Sequence, residues 1–253
     1  LWSAGFFVMA LETGRPAAIR RKAALSEAVY DGRAKVENMK GVRVFAPNEA
    51  WPVMSAGCVP VLVDSEGASI SELKPAVVVD AILAKKNTGT NRAMAPLTIA
   101  LGPGFAAGDD VDAVIETMRG HNLGRIIIEG SALPNTGVPG SIRGYAAERV
   151  IHAPSAGTIQ TIRRIGDLVE KGETLAWIRN GQEKIAVGAT LDGVLRGLIR
   201  SGYPVSKGLK IADIDPRKEE RGNCFTISDK ARCIGGSVLE LVVKHMCRME
   251  RGE

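Results

Sequence analysis

The sequence predicts an α/β protein in three parts: a mainly parallel, Rossmann-like sheet domain over residues 1–147, a small all-β domain over 148–217, and a linker with a C-terminal helix over 218–253 that packs back on the first domain. Three observations lead there. Short runs rich in Val and Ile alternate with turn or helical segments between residues 42 and 101, the pattern of strands buried on both faces of a sheet. Beyond Arg149 the chain repeats itself with an offset of 36 residues. From Asp229 to about Lys244 the apolar residues fall at helical spacing.

Composition narrows the class. The 253 residues are 45% apolar and 24% charged, ordinary for a folded chain and unlike a disordered one. No apolar run reaches bilayer length; Pro75 to Val79 is stopped by Asp80. The formal charge is +5, but Lys and Arg are scattered, only Arg20-Arg21-Lys22 forms a run, and aromatics are 4%. Nucleic-acid binding would want a basic stripe interleaved with stacking aromatics, so it is not expected. Cys58, Cys224, Cys233 and Cys247 show no C-x-x-C spacing and there are three histidines, which predicts reduced thiols, a cytoplasmic setting and no metal site.

Leu1 to Gly5 reads as the last turn of a helix closed by glycine, so part of the N-terminus is expected to be missing, and the glycine-rich turn that would open such a helix in a dinucleotide-binding fold is not in the sequence. Phe6 to Leu11 reads as a strand ending at Glu12. A carboxylate at such a tip can accept hydrogen bonds from ribose hydroxyls; it can equally face solvent. Arg20 and Arg21 have the geometry for bidentate phosphate contacts, although a solvated charge run fits the same residues. Ser26 to Gly32 suits a short glycine-closed helix. Strands follow at Val42 to Phe45, Val59 to Asp64 and Ala76 to Leu83, with a helical turn at Pro47 to Ala56 and a turn at Ser71 to Leu73.

The candidate site centres on the run Leu97 to Leu101, which stops at Gly102-Pro103-Gly104-Phe105. Ligands in open α/β sheets bind beyond the carboxyl ends of such strands. The preceding loop holds Lys85, Lys86, Asn87 and Thr88, and ammonium charges with small donors at a strand end suit phosphate or carboxylate. It is not a Walker A loop. Val114 to Thr117 and Arg125 to Glu129 read as two strands about a turn carrying Glu116, Arg119 and His121. These three are expected to orient a ligand; a surface hairpin with Glu116 and Arg119 paired in solvent is the other reading. The turns at 85–88 and 102–105 are expected to open into a shared cleft facing Arg119. Gly130 to Pro139 is turn chemistry almost throughout. No nucleophile and base are paired in this pattern, so no catalytic residue is assigned.

In the repeat, Gly157, Gly166, Gly172, Val169 and Lys171 recur as Gly193, Gly202, Gly208, Val205 and Lys207, and Leu175 and Ile178 as Ile211 and Ile214. Two such halves can bury together a core that neither buries alone. The pattern resembles the barrel-sandwich hybrid of biotinyl and lipoyl carrier domains. Lys184, on the stretch joining the halves, has neither the Met neighbours of a biotin site nor the preceding Asp of a lipoyl site, so a structural or docking module is expected instead of a swinging arm. In the last helix Ser228 is the expected N-cap, and Gly235-Gly236 imply close packing against another backbone.

Taken together, Phe6 to Glu12, Ala18 to Arg21, Asp80 to Asn87, L-G-P-G-F at 101–105, V-I-E-T-M-R-G-H at 114–121, Glu129-Gly130, P-N-T-G at 134–137, D-I-D-P-R at 213–217 and I-S-D-K-A at 227–231 resemble the YqeB family, accessory proteins of the selenium-dependent molybdenum hydroxylase system. The resemblance implies a bacterial protein that helps mature a purine-hydroxylase-like client. Its ligand would be a nucleotide or the phosphate of the molybdopterin cofactor, held by Lys85, Lys86, Asn87, Thr88, Gly102 and Gly104, with Glu12 as a further contact and Glu116, Arg119 and His121 at its polar end. A homo-oligomer is compatible with this reading. Two other classes stay open: a NAD(P)-type oxidoreductase, and a docking protein whose β module grips the client.

Overall fold

The computed structural model describes residues 1–137 and 140–252. Val138 and Pro139, the end of the expected turn run, and Glu253 lie outside the described residues.

The first sheet holds β1 (Ala10–Glu12), β2 (Arg33–Val36), β3 (Met39–Val44) and β4 (Val59–Val63) in the order β1-β4-β3-β2. The second holds β5 (Val77–Asp80), β6 (Leu97–Leu101), β7 (Ala113–Ile115) and β8 (Ile126–Ile127) in chain order. Each has two parallel pairings and ends in an antiparallel hairpin strand. The remaining strands are β9 (Val150–His152), β10 (Gly157–Thr161), β11 (Leu168–Val169), β12 (Thr174–Asn180), β13 (Glu183–Gly188), β14 (Gly193–Leu198), β15 (Pro204–Val205) and β16 (Lys210–Asp215). They form two antiparallel sheets, β13-β12-β10-β15 and β11-β14-β16-β9.

This overturns the expected fold class. Among the described residues, four strand pairings are parallel and eight antiparallel, and no single Rossmann-like sheet runs through residues 1–147. The β half is no small appendage either: it carries eight of the sixteen strands and the most extensive buried cluster. The reason lies in the connections. Parallel neighbours in a doubly wound sheet need crossovers of a dozen residues or more, usually helical. Here α1 (Ala28–Asp31), α2 (Ala50–Ser55) and α3 (Ser69–Leu73) are little more than single turns, too short to cover the faces of a large sheet.

The 36-residue offset is expressed strand by strand. Strands β10, β11 and β12 begin at 157, 168 and 174, and β14, β15 and β16 at 193, 204 and 210. Buried Ile159, Val169, Leu175 and Ile178 have Leu195, Val205, Ile211 and Ile214 as counterparts, all inside one cluster. A Cβ on Gly157 would lie 2.3 Å from Arg179 O, and one on Gly193 would lie 2.2 Å from Asp215 O. The same backbone approach is thus made twice.

Helix α4 (Asp229–Arg251) is capped by Ser228, whose Oγ accepts from Ala231 N at 3.2 Å. Its buried Ile234, Val238 and Val242 pack on Ile99 and Ile115 of the second sheet, because i, i+4 and i+8 share one helical face. The glycine pair does not mediate this contact. Gly235 and Gly236 are exposed, with nothing within 4 Å of an added Cβ; the close approach is made by Gly124, whose Cβ would lie 2.7 Å from Cys233 Sγ. Gly235→Ala and Gly236→Ala are therefore expected to stabilise the protein by about 0.5–1 kcal/mol each, the helix-propensity difference with no steric cost, read as a rise in the urea midpoint. Among the described residues, no helix is long and apolar enough to cross a membrane.

Candidate functional site

Strands β5 and β6 run parallel with Asp80 beside Ala100, so both deliver their carboxyl ends to one edge. Asp80 is buried, and its carboxylate organises the loop that follows: Oδ1 accepts from Ile82 N at 3.0 Å and Oδ2 from Thr90 Oγ1 at 2.6 Å. Asn87 completes the loop from within, donating to Thr90 O and accepting from Gly89 N. Leu83 and Lys85 are held in the left-handed region at φ 59° and 64°. Each costs about 1 kcal/mol or more, a strain that persists only where surrounding bonds over-determine the backbone.

The loop after β6 meets this one directly. Gly102, at φ 80°, donates its N–H to Ile115 O at 2.8 Å, and a Cβ there would lie 2.6 Å from Thr117 Oγ1. Gly104 is at φ 106°, and its Cβ would fall 2.6 Å from both Cα and N of Lys86. The turns at 85–88 and 102–105 are thus in backbone contact, with Lys85, Lys86 and Thr88 exposed. With its amide oxygen turned toward the donors, Asn135 accepts from Lys85 Nζ at 3.2 Å and from Gly137 N at 3.3 Å. Asn135 joins the corner although spacing alone does not single it out; the P-N-T-G motif is the signal that marks it.

The other expected residues stand differently. Glu116 is 3% exposed, and its two oxygens accept from Met118 N at 2.7 Å and Leu133 N at 2.8 Å. It staples the turn after β7 to the 131–135 segment and turns neither oxygen outward. Arg119 makes a bidentate pair with Asp229 at 2.7 and 2.9 Å. Hydrogen bonding to Asp229 raises the guanidinium pKa, and the same bonds hold the Asp229 carboxyl well below the usual range. The pair is exposed, so its contribution to stability is small. His121 is exposed and makes no hydrogen bond among the described residues. Glu12 ends β1 in the other mixed sheet, where its side chain accepts from Thr13 N. The corner therefore brings together Lys85, Lys86, Gly104 and Asn135, with Asn87 shaping it from inside and Gly102 seated behind.

Two surface clefts lie elsewhere. One is lined by Trp2, Phe6, Phe7, Met54 and Cys58 among others, the second by Arg163, Leu168, Glu170, Glu173 and Lys218. Neither contains an expected site residue. In the β half, desolvation pulls the Lys210 ammonium below the ordinary lysine range; Asp213 opposes this, and Arg149, Lys85 and Arg196 add to it.

No protein-family model matches the chain. Over 246 residues, 97% of its length, it is 49% identical to the uncharacterized protein YqeB of Escherichia coli strain K12, and it spans 44% of that relative. The likeness in the motifs thus extends to sequence identity over nearly the whole chain. Among solved structures, the product-bound ectoine utilization protein EutE (DoeB) of Ruegeria pomeroyi is 13% identical, with 82% of this chain and 84% of that one covered and a TM-score of 0.30. A succinylglutamate desuccinylase/aspartoacylase of Rhodobacter sphaeroides is 15% identical, with 82% and 83% covered and a TM-score of 0.28. At these scores the structural likeness carries no argument about fold or activity.

Proposed function

We propose, from the premise that this chain is a relative of YqeB along nearly its whole length, that it acts as an accessory protein in the maturation of a selenium-dependent molybdenum hydroxylase. In this role it binds a phosphorylated ligand, a nucleotide or the molybdopterin cofactor. The observation that carries the ligand half of the reading is the backbone contact between Gly104 and Lys85-Lys86. Two lysines are presented beside a glycine turn at the carboxyl edge of two parallel strands, where ammonium charges can converge on one anion. The client half rests on the motif resemblance.

Within this reading Lys85 and Lys86 neutralise the phosphate, Gly104 lets the two loops close to contact, and Asn135 positions the Lys85 ammonium. Glu116, through Met118 and Leu133, fixes the segment that carries Asn135. Calorimetric titration of the full chain with nucleotides and with molybdopterin cofactor tests it. One of them is expected to bind, and Lys85→Ala with Lys86→Ala to weaken that binding by about 10-fold or more, the scale of losing a charge-assisted contact. An absence of binding heat from every one of them removes the ligand assignment.

A further inference from the structure

We infer that Arg196 and Arg20 form a second seat, for a phosphoryl group, at the junction of the N-terminal segment with the β half. It uses none of the residues of the corner described above. In the first half of the repeat Ile159 pairs with Ile178, Gln160 with Trp177 and Thr161 with Ala176, and the bulge comes after them, where the N–H groups of Ile162 and Arg163 both donate to Leu175 O. In the second half Leu195 pairs with Ile214, but Asp213 then pairs with Gly197 and Ala212 with Leu198. In this half the bulge falls two positions earlier in the repeat, at Arg196, the counterpart of Gln160. A bulge of this kind bends a strand and re-aims the extra side chain.

A second arginine lies beside the bulge. A Cβ on Gly197 would lie 3.2 Å from Ile19 Cδ1 and 3.3 Å from Arg20 Cδ, so the 19–20 segment rests directly on the residue beside Arg196. Leu198 N donates to Ile19 O at 2.8 Å and fixes that register. Arg20 Nη2 donates to Asn223 O at 2.9 Å. The Nε atoms of both Arg20 and Arg196 are buried and find no acceptor among the described residues.

Burial lowers the Arg20 pKa, and the charge of Arg196 lowers it further. The carboxylates in range are already engaged: Asp215 is held by the guanidinium and N–H of Arg217 at 2.8–3.1 Å, and Asp213 by Arg149 at 3.2 Å. Among the described residues no carboxylate lies within ion-pair distance of Arg20 or Arg196. The remaining neighbour is Cys224, whose thiol burial pushes up and both arginines pull down. Two like charges, each with an orphaned Nε and with Asp213 and Asp215 acting on Arg20 only from beyond ion-pair distance, make a site that can take an anion. Guanidinium forks match phosphate oxygens bidentately, and a dianion answers two of them.

Inorganic phosphate and pyrophosphate are the probes, titrated into the full chain with melting temperature read in parallel. Phosphate is expected to bind and to raise the melting temperature. Arg196→Gln, which installs the residue found at the counterpart position 160, should weaken phosphate binding by about 10- to 100-fold. It should not lower the melting temperature in phosphate-free buffer, because it removes the repulsion with Arg20. Arg196→Lys keeps the charge without the fork and should also bind phosphate more weakly. Lys85→Ala with Lys86→Ala should leave phosphate binding at this seat unchanged. Unaltered phosphate affinity in both Arg196 variants overturns the seat. Loss of phosphate binding in the lysine variant but not in the Arg196 variants also overturns it, while leaving the corner as a phosphate site. No phosphate binding by the unaltered chain overturns the seat as well, and the nucleotide titration then decides the corner on its own.

Discussion

Gly193→Ala is expected to cost about 3 kcal/mol or more of stability, enough to leave a marginally stable domain partly unfolded at ambient temperature. The added Cβ would stand 2.2 Å from Asp215 O and 2.8 Å from Ile214 Cγ2. The first of these atoms is backbone in the neighbouring strand, so no side-chain rotation relieves the contact. Relief requires β14 and β16 to separate where their registers meet at Val194 and Asp215. Gly157→Ala, at the counterpart position with Arg179 O at 2.3 Å, should do the same to β10 and β12. Urea denaturation followed by far-UV circular dichroism measures both, and a midpoint within error of the parent for either variant would mean that the two strands do not approach as described.

Arg149→Ala is expected to have the second large effect, about 3–5 kcal/mol, the penalty for leaving a buried charge unpaired. Arg149 and Asp213 are 5% and 7% exposed. Each guanidinium nitrogen is engaged: Nη2 on Asp213 Oδ1, Nε on Ile214 O and Nη1 on Gly140 O, each at 3.2 Å. Removing it strands the Asp213 carboxylate and two carbonyls. Arg149→Met combined with Asp213→Val removes both charges together and should recover most of the loss, because an apolar pair of similar volume needs no counter-charge. A double variant as unstable as Arg149→Ala would show that packing, not the stranded carboxylate, carries the effect.

Much of the local structure was legible because it is set by short-range chemistry. The Ser228 cap and the Ile234, Val238 and Val242 stripe of α4 depend on helical geometry alone. The closure of α1 at Gly32, in the left-handed region at φ 75°, depends on the absence of a Cβ. The 36-residue period was legible for a related reason: equivalent glycines meet equivalent carbonyls, so the constraint is written twice in the chain. The short Val- and Ile-rich runs were legible as strands but not as parallel or antiparallel, since a run of three to five residues reads the same in either direction. That ambiguity produced the expectation of one Rossmann-like sheet in place of two small mixed ones.

The site divides in the same way. That Lys85, Lys86 and Gly104 belong together was inferred from strand ends, and the loops do touch. The engagements of Glu116 with Leu133, of Arg119 with Asp229 and of Lys85 with Asn135 join residues far apart in sequence, and no local pattern announces them. The one-residue bulge at Arg196 is invisible in a gapless repeat, because the insertion is made in the pairing and not in the chain.

By itself, then, the sequence determined the caps, turns, strand runs, helical face and duplication of this protein, all of which depend on residues within a few positions or on a repeated constraint. Only the tertiary structure decided which strands pair and in which direction, which carboxylates are consumed, and which arginine Nε atoms find no acceptor among the described residues. Those outcomes depend on desolvation and on distances between residues that the folded chain alone brings together.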